Sequence, residues 1–129
     1  MPSIEVSVGE IVDKITILKI KCKHISDNIK LKYIKEELNV LLNSLETEKI
    51  VVDENLMQEL QSVNEQLWHT EDVIRSLENQ KIFNDQFITH ARLDAKLNDE
   101  RFLIKNKINS YAESTIKEQK SYEGLYTAN

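Results

Sequence analysis

The sequence predicts an all-α fold, an antiparallel bundle of about four helices with long coiled-coil-like hairpins. Three observations predict it. Breakers are nearly absent: the chain of 129 residues holds two glycines and one proline, at Gly9, Gly124 and Pro2, and none stands between Glu10 and Glu123. Sheet-rich folds need turn residues roughly every 8–12 positions, so this spacing excludes them. Apolar residues recur in alternating steps of three and four along each long segment, which is the seam of packed helices. Candidate N-caps at Ser7, Ser26-Asp27, Asp53 and Phe83-Asn84-Asp85 divide the chain at short joints.

At the N-terminus Ile4, Val6 and Val8 alternate with Ser3, Glu5 and Ser7, the pattern of a short strand or an extended arm. Ser7-Val8-Gly9-Glu10 then reads as a capping box. The Ser7 hydroxyl accepts from the Glu10 amide, and the Glu10 carboxylate reaches back. The first helix runs to about His24 on a seam of Ile11, Ile15, Leu18, Cys22 and Ile25. Val12, Ile17 and Ile20 fall on its other faces, so this helix is expected at the centre. A second helix follows the cap offered by Ser26-Asp27 and carries Leu31, Ile34, Leu38, Leu41 and Leu45 to about Glu48. Lys49-Ile50-Val51-Val52 is an extended linker that also has the composition to pair with the N-terminal arm.

Asp53 caps a third helix, with Leu56, Leu60, Val63, Leu67, Ile74 and Leu77 on its seam, running to about Lys81. Phe83-Asn84-Asp85 forms a turn and cap. The fourth helical stretch, residues 86–113, places Leu93, Leu97, Ile104, Ile108 and Tyr111 on one stripe, and Ala91 and Ala95 permit close helix approach. Asn98-Asp99 offers an internal cap, so one helix and two are both open. Residues 1–129 form a single domain in this reading, with 114–129 a polar, irregular tail docked by Tyr122 and Tyr126 or frayed.

The bulk numbers narrow the function classes. No apolar run is long enough to span a membrane, and the start of the chain lacks the basic and apolar pattern of a secretory signal. A cytoplasmic protein with no membrane partner is expected. Cys22 is the sole cysteine, so no internal disulfide and no cysteine-based zinc site form. Glu65 with His69, and His90 with Asp94, are helical i,i+4 pairs, and they read as solvated face pairs rather than metal ligands. No phosphate-binding glycine loop occurs. No metal and no cofactor is expected.

The net charge of −5 argues against nucleic acid as a partner, yet its distribution is uneven. Residues 14–35 carry +6 and residues 36–80 carry −9. A basic block followed by an acidic one suggests helices that complement each other, within one chain or between copies. A homo-oligomer is expected, a dimer before larger assemblies, with a protein partner as the other possibility.

Polar residues beside the seams supply the candidate site. Glu10, Lys14 and Lys21 share a stripe of the first helix beside Ile17, with Asp13 next to it. In the third helix Trp68, Asp72 and Arg75 share a stripe, and Glu71 flanks the seam. In the fourth, Asn98, Arg101, Lys105 and Asn109 lie beside the apolar stripe. Buried ionic groups cost several kcal/mol unless paired, so an interhelical network is expected. Such a network fixes register and partner choice in a helical interaction or oligomerisation module, the leading reading. The alternative is a small-anion (carboxylate or phosphate) binding protein or enzyme with a charged interhelical pocket. Its lining would be Asp13, Lys14, Glu71, Arg75, Arg101 and Lys105. Glu10, Trp68, Asp72, Asn98 and Asn109 would support it. There Arg75, Arg101 and Lys14 would hold the anion, and Glu71 or Asp13 would act as base or orienter.

The same stretches carry a resemblance. Val6-Ser7-Val8-Gly9-Glu10-Ile11-Val12-Asp13-Lys14-Ile15-Thr16-Ile17-Leu18-Lys19-Ile20-Lys21 resembles the opening of a family of small all-helical bacterial and phage proteins of unknown function. Leu67-Trp68, Glu71-Asp72, Ile74-Arg75 and Glu78 follow in the family's order. So do Ala91-Arg92, Asn98-Asp99-Glu100-Arg101, Ile104-Lys105 and Ile108-Asn109, with Lys120-Ser121-Tyr122 near the close. The resemblance spans nearly the whole chain and implies no activity. Its motifs contain the polar residues that the helical stripes single out.

Overall fold

The computed structural model describes residues 1–112. They form four helices: α1 (Val8–His24), α2 (Asn28–Thr47), α3 (Glu54–Asn79) and α4 (Asp85–Tyr111). Each begins where a short polar side chain satisfies an orphan amide of the first turn. Ser7 accepts from Glu10 N, Asp27 from Lys30 N, Asp53 from Leu56 N and Asn84 from Phe87 N.

Two helices stop without the glycine that usually stops them. Lys49 and Lys81 take φ of 55° and 59° just beyond α2 and α3. At each, paired amide bonds close back onto the last turn: Lys49 N to Glu46 O and Ile50 N to Leu45 O, then Lys81 N to Glu78 O and Ile82 N to Leu77 O. This is the Schellman arrangement, with an apolar residue after the left-handed position. Ile50 packs against the core, so burial offsets the strain of a lysine at positive φ.

α1 packs against all three other helices, as its apolar faces require. Val12 and Ile15 are fully buried among Leu60, Val63 and Leu67 of α3 and Leu97, Ile104 and Ile108 of α4. α2 packs among the helices on α1 alone, and its Leu45 closes one end of the core. Contacts across α1 and α4 run in opposite senses: Gly9 meets Asn109, Glu10 meets Lys105 and Asp13 meets Arg101. These two helices are therefore antiparallel, and α3 and α4 form a tight hairpin.

Several expectations are corrected. Of the strand and the extended arm left open at the N-terminus, the strand is not formed among the described residues, and Ile4 and Val6 are exposed. The Lys49–Val52 linker forms no strand either, although Val52 tucks against the core. α4 is one continuous helix through Asn98-Asp99, because Asn98 bonds back to Asp94 O at 3.0 Å instead of capping a new start. The Glu10 carboxylate does not complete the capping box; it turns across to Lys105. Ala91 and Ala95 are exposed, and close helix approach occurs instead at Gly9. A β-carbon there would stand 2.6 Å from Lys105 O and 2.9 Å from Asn109 Oδ1. Tyr111 is exposed, and Cys22 is only partly buried. The expected tail, 114–129, lies outside the described residues. No helix among the described residues is long and apolar enough to cross a membrane.

Candidate functional site

The first turns of α1 place Gly9, Glu10, Asp13 and Thr16 toward α3 and α4. On α4, Arg101, Lys105 and Asn109 follow one another at i,i+4 spacing, so they share one stripe. The antiparallel register then matches the two sets in order. Asn109 Oδ1 accepts from the Gly9 amide at 2.7 Å, satisfying an N-terminal donor of α1 across helices. Lys105 Nζ donates to Glu10 Oε1 at 2.5 Å, with the lysine buried and the glutamate partly exposed. Arg101 grips Asp13 with both prongs, Nε to Oδ1 at 2.9 Å and Nη2 to Oδ2 at 2.5 Å. From α3, Asn64 Nδ2 donates to Asp13 Oδ1 at 2.9 Å and to Thr16 Oγ1 at 2.8 Å. A polar layer therefore ties α1, α3 and α4 together through the middle of an apolar core.

Asp13 sits at the hub of this layer. Burial pushes its carboxyl up. Hydrogen bonds from Arg101 and then Asn64, with the charges of Arg101 and Lys105, outweigh that and hold it below the ordinary aspartate value. With both oxygens accepting, Asp13 is fitted to orient the guanidinium rather than to take a proton.

Over the Asp13–Arg101 pair lies a groove of about 280 Å³. It is lined by Glu10, Asp13, Lys14, Ile17, Leu18 and Lys21 of α1, Glu37 of α2 and Arg101 of α4. Of the six residues singled out for a pocket, Asp13, Lys14 and Arg101 line this groove, and Lys105 is buried behind it on Glu10. Glu71 and Arg75 do not line it. They are exposed on α3 and form a second cluster with Asp94 of α4, linked to the first through Arg101. Burial raises the Glu71 carboxyl, Asp94 raises it further by charge and hydrogen bonding, and Arg75 and Arg101 pull it partly back. Asp94 Oδ1 is buried without a donor among the described residues, as befits a carboxylate facing another carboxyl group.

The supporting residues divide similarly. Asn98 accepts from Arg101 Nη1 at 3.4 Å and joins the two clusters. Asp72 faces a separate shallow cavity with His69, Ser76 and Gln86, away from Arg101. Trp68 stacks on His24 with ring centroids 5.0 Å apart and a 13° interplanar angle. Glu65 is held by Lys23, and His90 bonds back to Gln86 O. No group of three or more His, Cys, Asp or Glu side chains converges as a metal site among the described residues. Sequence reasoning missed Asn64, Thr16 and Asp94. Asn64 had a signal, since it follows Val63 and precedes Leu67 on the buried face of α3.

Fold and layer together define a small all-α bundle laced by a buried ionic network, with a charged groove opening onto it. The chain belongs to the family of unknown function DUF6165, whose model matches residues 2–128. Comparison with curated proteins and with solved structures finds no match.

Proposed function

We propose that the groove over the Asp13–Arg101 pair binds a small anionic compound, a carboxylate or phosphate carrying a short apolar portion. The observation that supports this reading is the uneven pairing of the charges around it. Arg101 is engaged by Asp13 and Lys105 by Glu10, yet Lys14 and Lys21 make no ion pair among the described residues. Glu37 is the one lining carboxylate in the same position. Two open cations against one open carboxylate favour an anion. Lys14 and Lys21 both line the groove and stand seven residues apart on α1, about 10 Å along the axis. Ile17 and Leu18 between them give the apolar floor. The bidentate pair at the wall keeps the guanidinium fixed before a ligand arrives, which lowers the ordering cost of binding.

The test is isothermal titration of the full chain with inorganic phosphate, succinate and glycerol 3-phosphate at low ionic strength. At least one is expected to bind, and Lys14→Ala with Lys21→Ala is expected to weaken it about tenfold or more. Lys32→Ala on the far side of α2 should leave it unchanged. Absence of binding by all three, or binding indifferent to the double substitution, overturns the proposal.

A further inference from the structure

We infer that two copies of this chain associate by pairing α2 with α2, antiparallel, through the outer stripe Ile29–Tyr33–Val40. α2 contacts α1 alone among the helices, and its inner face is committed there through Leu38, Leu41 and Leu45. The opposite face carries a second apolar row. Ile29, Tyr33 and Val40 are 72%, 66% and 63% exposed. At 100° per residue they fall within about 40° of one another around the helix. Scattered exposed apolar residues are ordinary on a monomer, but a row of them opposite a buried seam marks a surface for a partner.

The charges on α2 say which partner. Residues 28–35 of α2 carry Lys30, Lys32 and Lys35 and no acid, and residues 36–47 carry Glu36, Glu37 and Glu46 and no base. None of these six is in an ion pair among the described residues. A helix charged in this way is complementary to itself turned end for end. Antiparallel pairing sets the lysine-bearing segment of each copy against the glutamate-bearing segment of the other, and parallel pairing sets like against like. A two-fold axis does this twice with one patch, the simplest closed symmetry.

The apolar row also selects a register. With the axis between Ile34 and Lys35, Ile29 lies opposite the second copy's Val40, and Tyr33 lies opposite its Glu36, where a phenol can donate to a carboxylate. Lys30 shares a flank of the stripe with Glu37, and in this register it comes within about 3 Å, along the axis, of the second copy's Glu37 on that flank. Shifting the axis to lie between Glu36 and Glu37 brings those two acids face to face, which disfavours it. Glu37 also borders the groove described above, so in this register the second copy's Lys30 reaches that border.

Sedimentation equilibrium of the full chain tests this across 1–300 µM (a range chosen to span roughly weak to tight dimers). The wild type is expected to reach twice the 15.1 kDa chain mass. Val40→Glu and, separately, Tyr33→Glu are expected to leave it monomeric with unchanged far-ultraviolet dichroism, since both side chains are exposed in the bundle. Lys30→Glu should weaken association about tenfold or more, and adding Glu37→Lys should restore most of it. A wild type that stays monomeric throughout overturns the inference. So does a dimer insensitive to both apolar substitutions, or a charge swap that fails to restore what the single change removed.

Discussion

Replacing Arg101 by alanine removes the one cation that touches both oxygens of Asp13. The two sides of the pair are unequally dry: the Asp13 side chain is 3% exposed and that of Arg101 is 29% exposed. Without the guanidinium, Asp13 keeps only Asn64 as a side-chain donor among the described residues and stays a buried carboxylate. An uncompensated buried charge of this kind costs about 3–5 kcal/mol. The reverse change, Asp13→Asn, leaves an amide of the same shape beside a guanidinium that reaches water and Asn98. Its expected loss is smaller, about 1–3 kcal/mol. The pH dependence follows from Asp13. Its pKa is depressed in the fold, so its contribution is present above the ordinary aspartate value and is lost as pH falls through the folded one. In Arg101→Ala the strongest lowering partner is gone while Asn64 and Lys105 remain, so burial weighs more and the carboxyl moves up. The penalty is greatest near pH 7 and narrows toward pH 4 as Asp13 takes up a proton. Urea unfolding of wild type, both single variants and the double variant at the two pH values measures all of this. The double variant should recover about 1–3 kcal/mol relative to the sum of the singles. A loss below about 1 kcal/mol for Arg101→Ala at pH 7, or one that does not narrow at pH 4, refutes the reasoning.

Three further outcomes follow from single positions. Gly9→Ala improves helix propensity but drives a β-carbon into the Lys105 carbonyl, a backbone atom that cannot swing aside, so a net loss of about 1–3 kcal/mol is expected in urea unfolding; a gain would show that α1 and α4 are not in close contact there. Lys49→Gly relieves a positive φ at the end of α2 and should raise stability by about 0.5–1 kcal/mol; a loss of that size in the same measurement would mean the left-handed cap is absent. Glu71→Gln should hold or raise the melting temperature at pH 7, because the folded pKa is raised and the charged form opposes folding. The difference from wild type should close below the ordinary glutamate range, and a drop at pH 7 would contradict the assignment.

Much of the bundle was legible in the chain because its helices are bounded by local chemistry. The four N-caps at Ser7, Asp27, Asp53 and Asn84 are side chains acting on amides three residues on, and no tertiary knowledge is needed to find them. The central place of α1 followed from apolar residues on most of its faces. What stayed hidden depends on register between helices. Gly9 reads as an ordinary capping-box position until Lys105 and Asn109 are brought beside it. Glu10 has two partners available, its own cap and a lysine 95 residues away, and only the antiparallel match with α4 selects Lys105. The same limit divided the candidate site. Helical stripes identify Glu71 and Arg75 as seam-flanking charges, but they do not reveal that α3 presents Asn64, not Glu71, to Asp13. The helix ends at Lys49 and Lys81 escaped because their signal is an apolar residue after the stop, with no glycine to announce it.

The central functional claim is that the groove beside Asp13 and Arg101 receives an anion. Its most direct test is a titration of the isotopically labelled full chain with inorganic phosphate, followed by amide and lysine side-chain resonances at constant pH and ionic strength. Saturable shifts are expected, concentrated at Lys14, Ile17, Lys21 and Glu37, with the Arg101 side-chain resonances moving alongside them. Saturable shifts centred on other surfaces, or linear drift without saturation at the groove, would contradict it.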